Sequence, residues 1–180
     1  EILPGLRSIL EAYRRDYEKD GLLQNLDKWC VVEWPANFRD GYDVDIAEGK
    51  VCREPHVALN AYYIEAVRNL NILCAQLGLP PYRDAEILKE AFVEAFYDSQ
   101  THLFKDSLIS NHISYIGNVL PFGFALCPDR ACEGAILDMI RARGITGVSL
   151  FGAFPLLQGL VRRGRRDLVR EMLSDPGAWL

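Results

Sequence analysis

The chain has 180 residues, 49% hydrophobic and 25% charged, which is enough apolar material for one domain with a sizeable core. With 20 Lys and Arg against 25 Asp and Glu, the net charge is -5. This excludes a nucleic-acid backbone as the main partner, because no basic stripe is long enough to neutralise many phosphates. No run is apolar for long enough to read as a membrane span.

The first predicted element is a helix from Pro4 to about Glu18, with Leu6, Ile9, Leu10, Tyr13 and Tyr17 on one face. No initiator Met and no signal peptide precede it, so the sequence is expected to be a piece of something longer. A long polar-aromatic segment follows, from Gly21 to Pro55. Within it Cys30 to Asp43, read CVVEWPANFRDGYD, crowds Glu33, Trp34, Asn37, Arg39, Asp40, Tyr42 and Asp43 into a stretch that Pro35 and Gly41 mark as loop. Such a loop suits a carbohydrate pocket, since sugars offer apolar C–H faces to stack and hydroxyls to bind. The alternative is that Trp34 plugs a core. Short strands are expected near Cys30 to Glu33 and in Gly49 to Cys52, and the alternation of Asp43, Val44 and Asp45 fits a strand edge.

From His56 to Leu77 the apolar positions Leu59, Tyr63, Ala66, Val67, Leu70, Leu73, Cys74 and Leu77 predict a helix, with Asn60, Glu65, Arg68, Asn69 and Gln76 on its other side. Gly78 ends it, and Pro80 and Pro81 lie beyond. Asp84 caps the next helix, whose inner face is Ile87, Leu88, Ala91, Phe92, Ala95 and Phe96. After a second long loop, Gln100 to Asn111, Pro128-Asp129 opens a helix carrying Cys132, Ala135, Ile136, Met139 and Ile140 that closes at Gly144. Helices at Ser149 to Arg163 and Arg166 to Leu173 complete the series, with Pro155 kinking the first or marking its true start. Arg162, Arg163, Arg165 and Arg166 straddle Gly164 and read as a helix end where cations meet the dipole.

About seven helices, paired at intervals of about forty residues, suggest stacked hairpins in an open solenoid or a closed toroid. Solenoid turns are short and uniform, whereas these loops are long enough to carry function. The cysteines at 30, 52, 74, 127 and 132 form no even framework; Cys74 and Cys132 fall on apolar faces, and the Cys127 to Cys132 spacing lacks the second ligand pair of a zinc site. A reducing compartment is favoured. There is no GxSxG, Gly-rich phosphate loop or HExxH, and His56, His102 and His112 lie in different elements, so neither cofactor nor metal is expected.

The polar-aromatic loop and the segments C-terminal to it resemble the catalytic domain of bacterial α-L-rhamnosidases, glycoside hydrolase family 78, an (α/α)6 toroid. Glu33-Trp34 matches an acidic residue beside Trp, where the family usually has Asp, and HVALNAYYIEAVRNLNILCAQLG matches a long Ala-, Tyr- and Leu-rich helix ending in Leu-Gly. THLFKDSLISNHISYIGNVLPFG matches a polar segment leading into a helix that ends in a Gly-rich loop. RGITGVSLFGAFPLLQGLVRRG with RRDLVREMLSDPGAWL matches the last hairpin before the catalytic base. The resemblance implies an all-α fold of helical hairpins forming part of such a toroid, one partial catalytic domain over residues 1–180. It implies inverting hydrolysis of terminal α-L-rhamnosides by two carboxylates about 6.5 to 9.5 Å apart. The general acid lies upstream of this segment and the general base beyond Trp179-Leu180, so neither catalytic residue is expected in the chain.

For substrate binding the resemblance implies that Trp34 stacks on the sugar and Glu33 binds hydroxyls. Asn111 and His112 would reach the cavity from the start of their helix, with Asp106 in the loop before it. His112 has a structural reading too. Arg39 and Asp43 join the binding set or, with Asp40 and Tyr42, fix the loop through internal hydrogen bonds. The rival functions are a helical-repeat module for a protein or peptide and a helical-toroid glycosidase of another sugar. A partial toroid would leave apolar end faces, so a homodimer through Leu6, Ile9, Leu10, Leu168, Val169 and Met172 is expected.

Overall fold

The computed structural model describes residues 2–27, 32–33, 40–42 and 53–178. Among them the chain forms seven α-helices: α1 (Ile2–Tyr17), α2 (Val57–Gln76), α3 (Ala85–Phe96), α4 (Tyr115–Gly123), α5 (Arg130–Arg143), α6 (Leu150–Arg162) and α7 (Arg166–Ser174). Two antiparallel hairpins of two-residue strands, β1 (Glu18–Lys19) with β2 (Leu22–Leu23) and β3 (Tyr97–Asp98) with β4 (Leu103–Phe104), follow α1 and α3. The fold is thus all-α, built of helical hairpins. No helix of the described residues is long and apolar enough to cross a membrane.

Helix α4 is the centre. Its sequence YIGNVLPFG carries no charge, and all nine of its residues are buried, as a helix apolar all round must be. Glycines let α6 come close: a Cβ at Gly123 would lie 2.5 Å from the Pro155 carbonyl oxygen, and one at Gly159 would lie 2.7 Å from the Phe122 ring. Pro155 sits inside α6, which starts earlier on the Ser149 cap, so the proline does not mark the true start. Lacking an N–H, it leaves the Phe151 carbonyl without its helical donor, and the Tyr62 hydroxyl donates to that oxygen at 3.2 Å.

One device occurs twice. Asn60, the fourth residue of α2, accepts from Leu23 N at 2.7 Å and donates to the Leu23 and His56 carbonyls. Asn118, the fourth residue of α4, accepts from Phe104 N at 2.8 Å and donates to the Phe104 and Ser114 carbonyls. Each buried amide therefore ties a hairpin to the start of the helix beyond it. This corrects the placement of Asn60 on the solvent side of α2.

Other expectations shift too. The buried face of α2 takes in Ala58, Ala61 and Ile64, while Ala66, Leu73 and Leu77 are exposed. On α3 the line Leu88, Phe92 and Phe96 is buried, with the Phe92 ring against Phe96 and Phe104, and Ile87, one step round the helix, is exposed. Val32 and Glu33 form a bend and not a strand; Gly49 to Cys52 and Asp43 to Asp45 lie outside the described residues. Cys74 and Cys132 are buried as expected. The arginines after α6 do more than meet their own helix end. Arg162 donates to the Gly123 carbonyl at 2.8 Å, and Arg163 donates to Phe122 O at 2.9 Å while pairing with Glu133. Finally, Leu10, Leu168 and Met172 are buried and Leu6 and Val169 pack against the core, so the expected dimer patch is mostly spent inside the molecule; of the six residues Ile9 is exposed.

Candidate functional site

Helices α2, α4 and α6 begin at one end of the molecule. Val57 meets Gly117, and Ile116 meets Gly152, so the three N-termini lie side by side. A helix N-terminus leaves N–H groups without intrahelical partners and carries positive charge. Loop residues far away in sequence satisfy all three.

Asp106 is the hub. One carboxylate oxygen accepts from Ser114 N at 3.0 Å and Ser114 Oγ at 2.6 Å, the other lies 2.7 Å from His112 Nδ1, and its carbonyl accepts from Val57 N at 2.9 Å. Ser114 Oγ in turn accepts from Gly117 N, which caps α4. One residue thereby joins the starts of α2 and α4. Asp40 adds to α4 from the other side, accepting from Tyr115 N at 2.9 Å and pairing with Arg143 through both carboxylate oxygens. Arg143 and the Tyr115 amide hold the Asp40 carboxyl below the usual carboxylate range.

Tyr42 serves α2. Its hydroxyl accepts from Ala58 N at 3.1 Å and lies 2.9 Å from His56 Nδ1. Burial pushes His56 down to about 4, so the ring is neutral where a charge would face the positive helix end. Asp40 and Tyr42 fix the loop through bonds to α2, α4 and α5. Glu33 serves α6: it is buried, with Ser149 N at 3.3 Å from its carboxylate and Ser149 Oγ bonded to it as well. Burial, with a smaller push from Glu33, raises Tyr62 to about 12.

Glu33 and Asp106 are therefore buried ties, while Asn111 and His112 are exposed. Both precede the helix, whose cap is Ser114, and stand on the strap leading to it; this corrects their placement at the helix start. His112 faces Gly41, where an added Cβ would lie 3.3 Å from Nε2, and the positive φ of Asp40 and Gly41 turns the loop there. Trp34, Arg39 and Asp43 lie outside the described residues. Arg143 and Ser149 were not singled out from sequence; Ser149 carried a cap signal, but nothing local marks Arg143 as the partner of Asp40. Among the described residues no group of three His, Cys, Asp or Glu side chains could hold a metal. The Cys132 thiol, hydrogen-bonded to Cys127 and buried, is pushed up and unreactive.

The architecture is that of a helical-hairpin scaffold with function-type loops gathered at the N-terminal end of its inner helices. No family model matches the chain, and no curated protein matches its sequence. Solved structures do. The chain is similar to a family 78 rhamnosidase of Bacillus sp. GL1, with a TM-score of 0.71 and 19% identity over 94% of this chain and 18% of that one. It is similar to the Streptomyces avermitilis α-L-rhamnosidase complexed with L-rhamnose, with a TM-score of 0.65 and 19% identity over 96% of this chain and 15% of the other. It is similar to a Klebsiella oxytoca rhamnosidase with rhamnose bound, with a TM-score of 0.68 and 16% identity over 98% and 33%. At these identities the likeness is one of fold, and the chain spans 15% to 33% of the length of those structures.

Proposed function

We propose that the chain is part of the sugar-binding end of a glycoside hydrolase that removes terminal α-L-rhamnose from glycosides with inversion. The observation that carries this reading is the agreement of fold with rhamnosidases over 94% to 98% of the chain. The loop-bearing end supports it, since long loops on a rigid scaffold are where binding groups collect.

The roles divide by exposure. Asn111 and His112 are open to a ligand; with Asp106 accepting from Nδ1–H, His112 keeps Nε2 as an acceptor for a sugar hydroxyl. Trp34 supplies a stacking face, and Arg39 and Asp43 add hydrogen bonds from the same loop. Glu33 and Asp106 act indirectly, holding the helix ends on which the contacts stand. The acid that protonates the leaving oxygen and the base that activates water come from residues beyond these 180.

Isotope-labelled chain titrated with L-rhamnose, and with L-fucose and D-glucose as controls, tests this. Expected are amide shifts at Gly41, Asn111 and His112, largest with L-rhamnose, and no hydrolysis of an aryl rhamnoside. Shifts favouring a control sugar would move the specificity elsewhere, and silence at high millimolar sugar would overturn the reading.

A further inference from the structure

Two cysteines meet where α4 gives way to α5. Cys127 and Cys132 are both free thiols, with four residues between them. The backbone around them is held: Leu126 N donates to the Pro121 carbonyl at 2.8 Å, and Cys132 N donates to the Asp129 cap at 2.8 Å. Pro128, between the two, has its φ fixed by the ring. In this setting the Cys132 thiol donates a hydrogen bond to the Cys127 sulfur, and the Tyr97 hydroxyl, 3.2 Å from Asp129, is within electrostatic reach of both. The two sulfurs differ in access. Cys132 is fully buried, whereas Cys127 is half-buried and reaches solvent. Among the described residues no third His, Cys, Asp or Glu joins them in a metal site.

We propose that Cys127 and Cys132 are a redox modification site, a dithiol that closes to a disulfide by exchange with a small-molecule disulfide. Exposure sets the order of events. The Cys127 thiolate attacks one sulfur of the external disulfide, whose S–S bond breaks; a mixed disulfide remains on Cys127, and the departing thiolate takes up the proton that Cys127 released. Cys132 alone is inert, because the bond to Cys127 and burial hold its proton on. With Cys127 capped, no thiolate stands opposite it, and a disulfide sulfur lies at contact distance. Cys132 then attacks Cys127 Sγ, and its proton passes to the second departing thiolate. In sum two protein thiols lose two electrons and two protons, and the external disulfide becomes two thiols. The ring so closed spans the six residues from Cys127 to Cys132, which constrains the unfolded chain little, so ordinary thiols reopen it. The bond fastens the start of α5 to the turn that leaves α4, and it does not depend on the rhamnoside reading.

Trypsin provides the readout, because Arg130 lies between the two cysteines and cleavage puts them on separate peptides, 106–130 and 131–141, which hold no other cysteine. Folded chain exposed to oxidised glutathione, then alkylated in denaturant and digested, should yield these peptides joined, at their summed mass less two hydrogen atoms. Dithiothreitol given before alkylation should abolish the product. Cys132→Ser should hold glutathione on Cys127, and Cys127→Ser should leave Cys132 unmodified, with circular dichroism showing that each variant folds; where one does not, the native chain decides. Peptides alkylated and unjoined in the native chain would overturn the inference. So would glutathione that stays on Cys127 of the native chain, joining of either cysteine to Cys30, Cys52 or Cys74 in preference to the other, or glutathione on Cys132 of the folded Cys127→Ser variant.

Discussion

The two ends of α4 are satisfied by opposite charges from different kinds of structure. At its start, Asp106 and Asp40 receive backbone N–H groups, and both come from loops. At its finish, Arg163, Arg162 and Arg68 donate to the carbonyls of Phe122, Gly123 and Phe124, and they stand on or directly beside helices α6 and α2. Acids at the N-terminus and bases at the C-terminus both complement the helix dipole. The difference lies in what carries them. The Arg end is held by scaffold alone, whereas the Asp end makes the position of three helix starts depend on loops, which is where a binding site can be shaped without rebuilding the core.

The largest break in this comparison is expected from Asp106→Ala, which removes the acceptor of Ser114 and His112 in a fully buried place. It should cost about 4 kcal/mol in urea unfolding, in the range for stranding partners of a buried charged group. A variant with the native midpoint would deny Asp106 its part as hub.

Next is a pH effect confined to the Asp end. His56 is pushed by burial from 6.5 to about 4, so between these values the unfolded chain binds the extra proton. Its contribution is full above pH 6.5 and is lost as the pH falls toward 4, on the order of 3 kcal/mol in all. His56→Gln should flatten that part of the stability profile; an unchanged acid slope would show that other groups set it.

At the Arg end, Arg163→Met removes the guanidinium that lies over the Phe122 ring, with its bonds to Phe122 O, Gly159 O and Glu133. A loss of about 2 kcal/mol is expected, with faster amide exchange near Phe124 and no change in the sugar-induced shifts at His112. Shifts that vanish with this variant would mean the two ends are not separable. The smallest stability effect should come from Arg143→Met, whose pair with Asp40 is partly exposed, at about 1 kcal/mol or less. Its consequence should be read at Gly41 and His112 instead: broadened amide signals there, with the unfolding midpoint barely moved, would mark Arg143 as a residue that positions the loop.

The sequence by itself determined what is local. Asp84, Asp129 and Ser149 announced helix starts because a cap bonds a backbone amide two or three residues away, and each does so here. Helices α2, α3, α5 and α6 followed from spacing, and the two long loops from their turn residues, because periodicity and breakers act within one stretch of chain. The two-residue hairpins were invisible, being too short to show a period of two. Only the tertiary structure decided that Asn60 and Asn118 face inward, since a buried amide is tolerated where the backbone of Leu23 or Phe104 meets it, and those partners lie 37 and 14 residues away. It likewise decided that Glu33 serves Ser149 across 116 residues and Asp40 serves Arg143 across 103. A carboxylate in a polar-aromatic loop has the same local signature whether it faces a ligand or a helix end, and the choice between them is made by the groups that the fold brings within hydrogen-bonding distance.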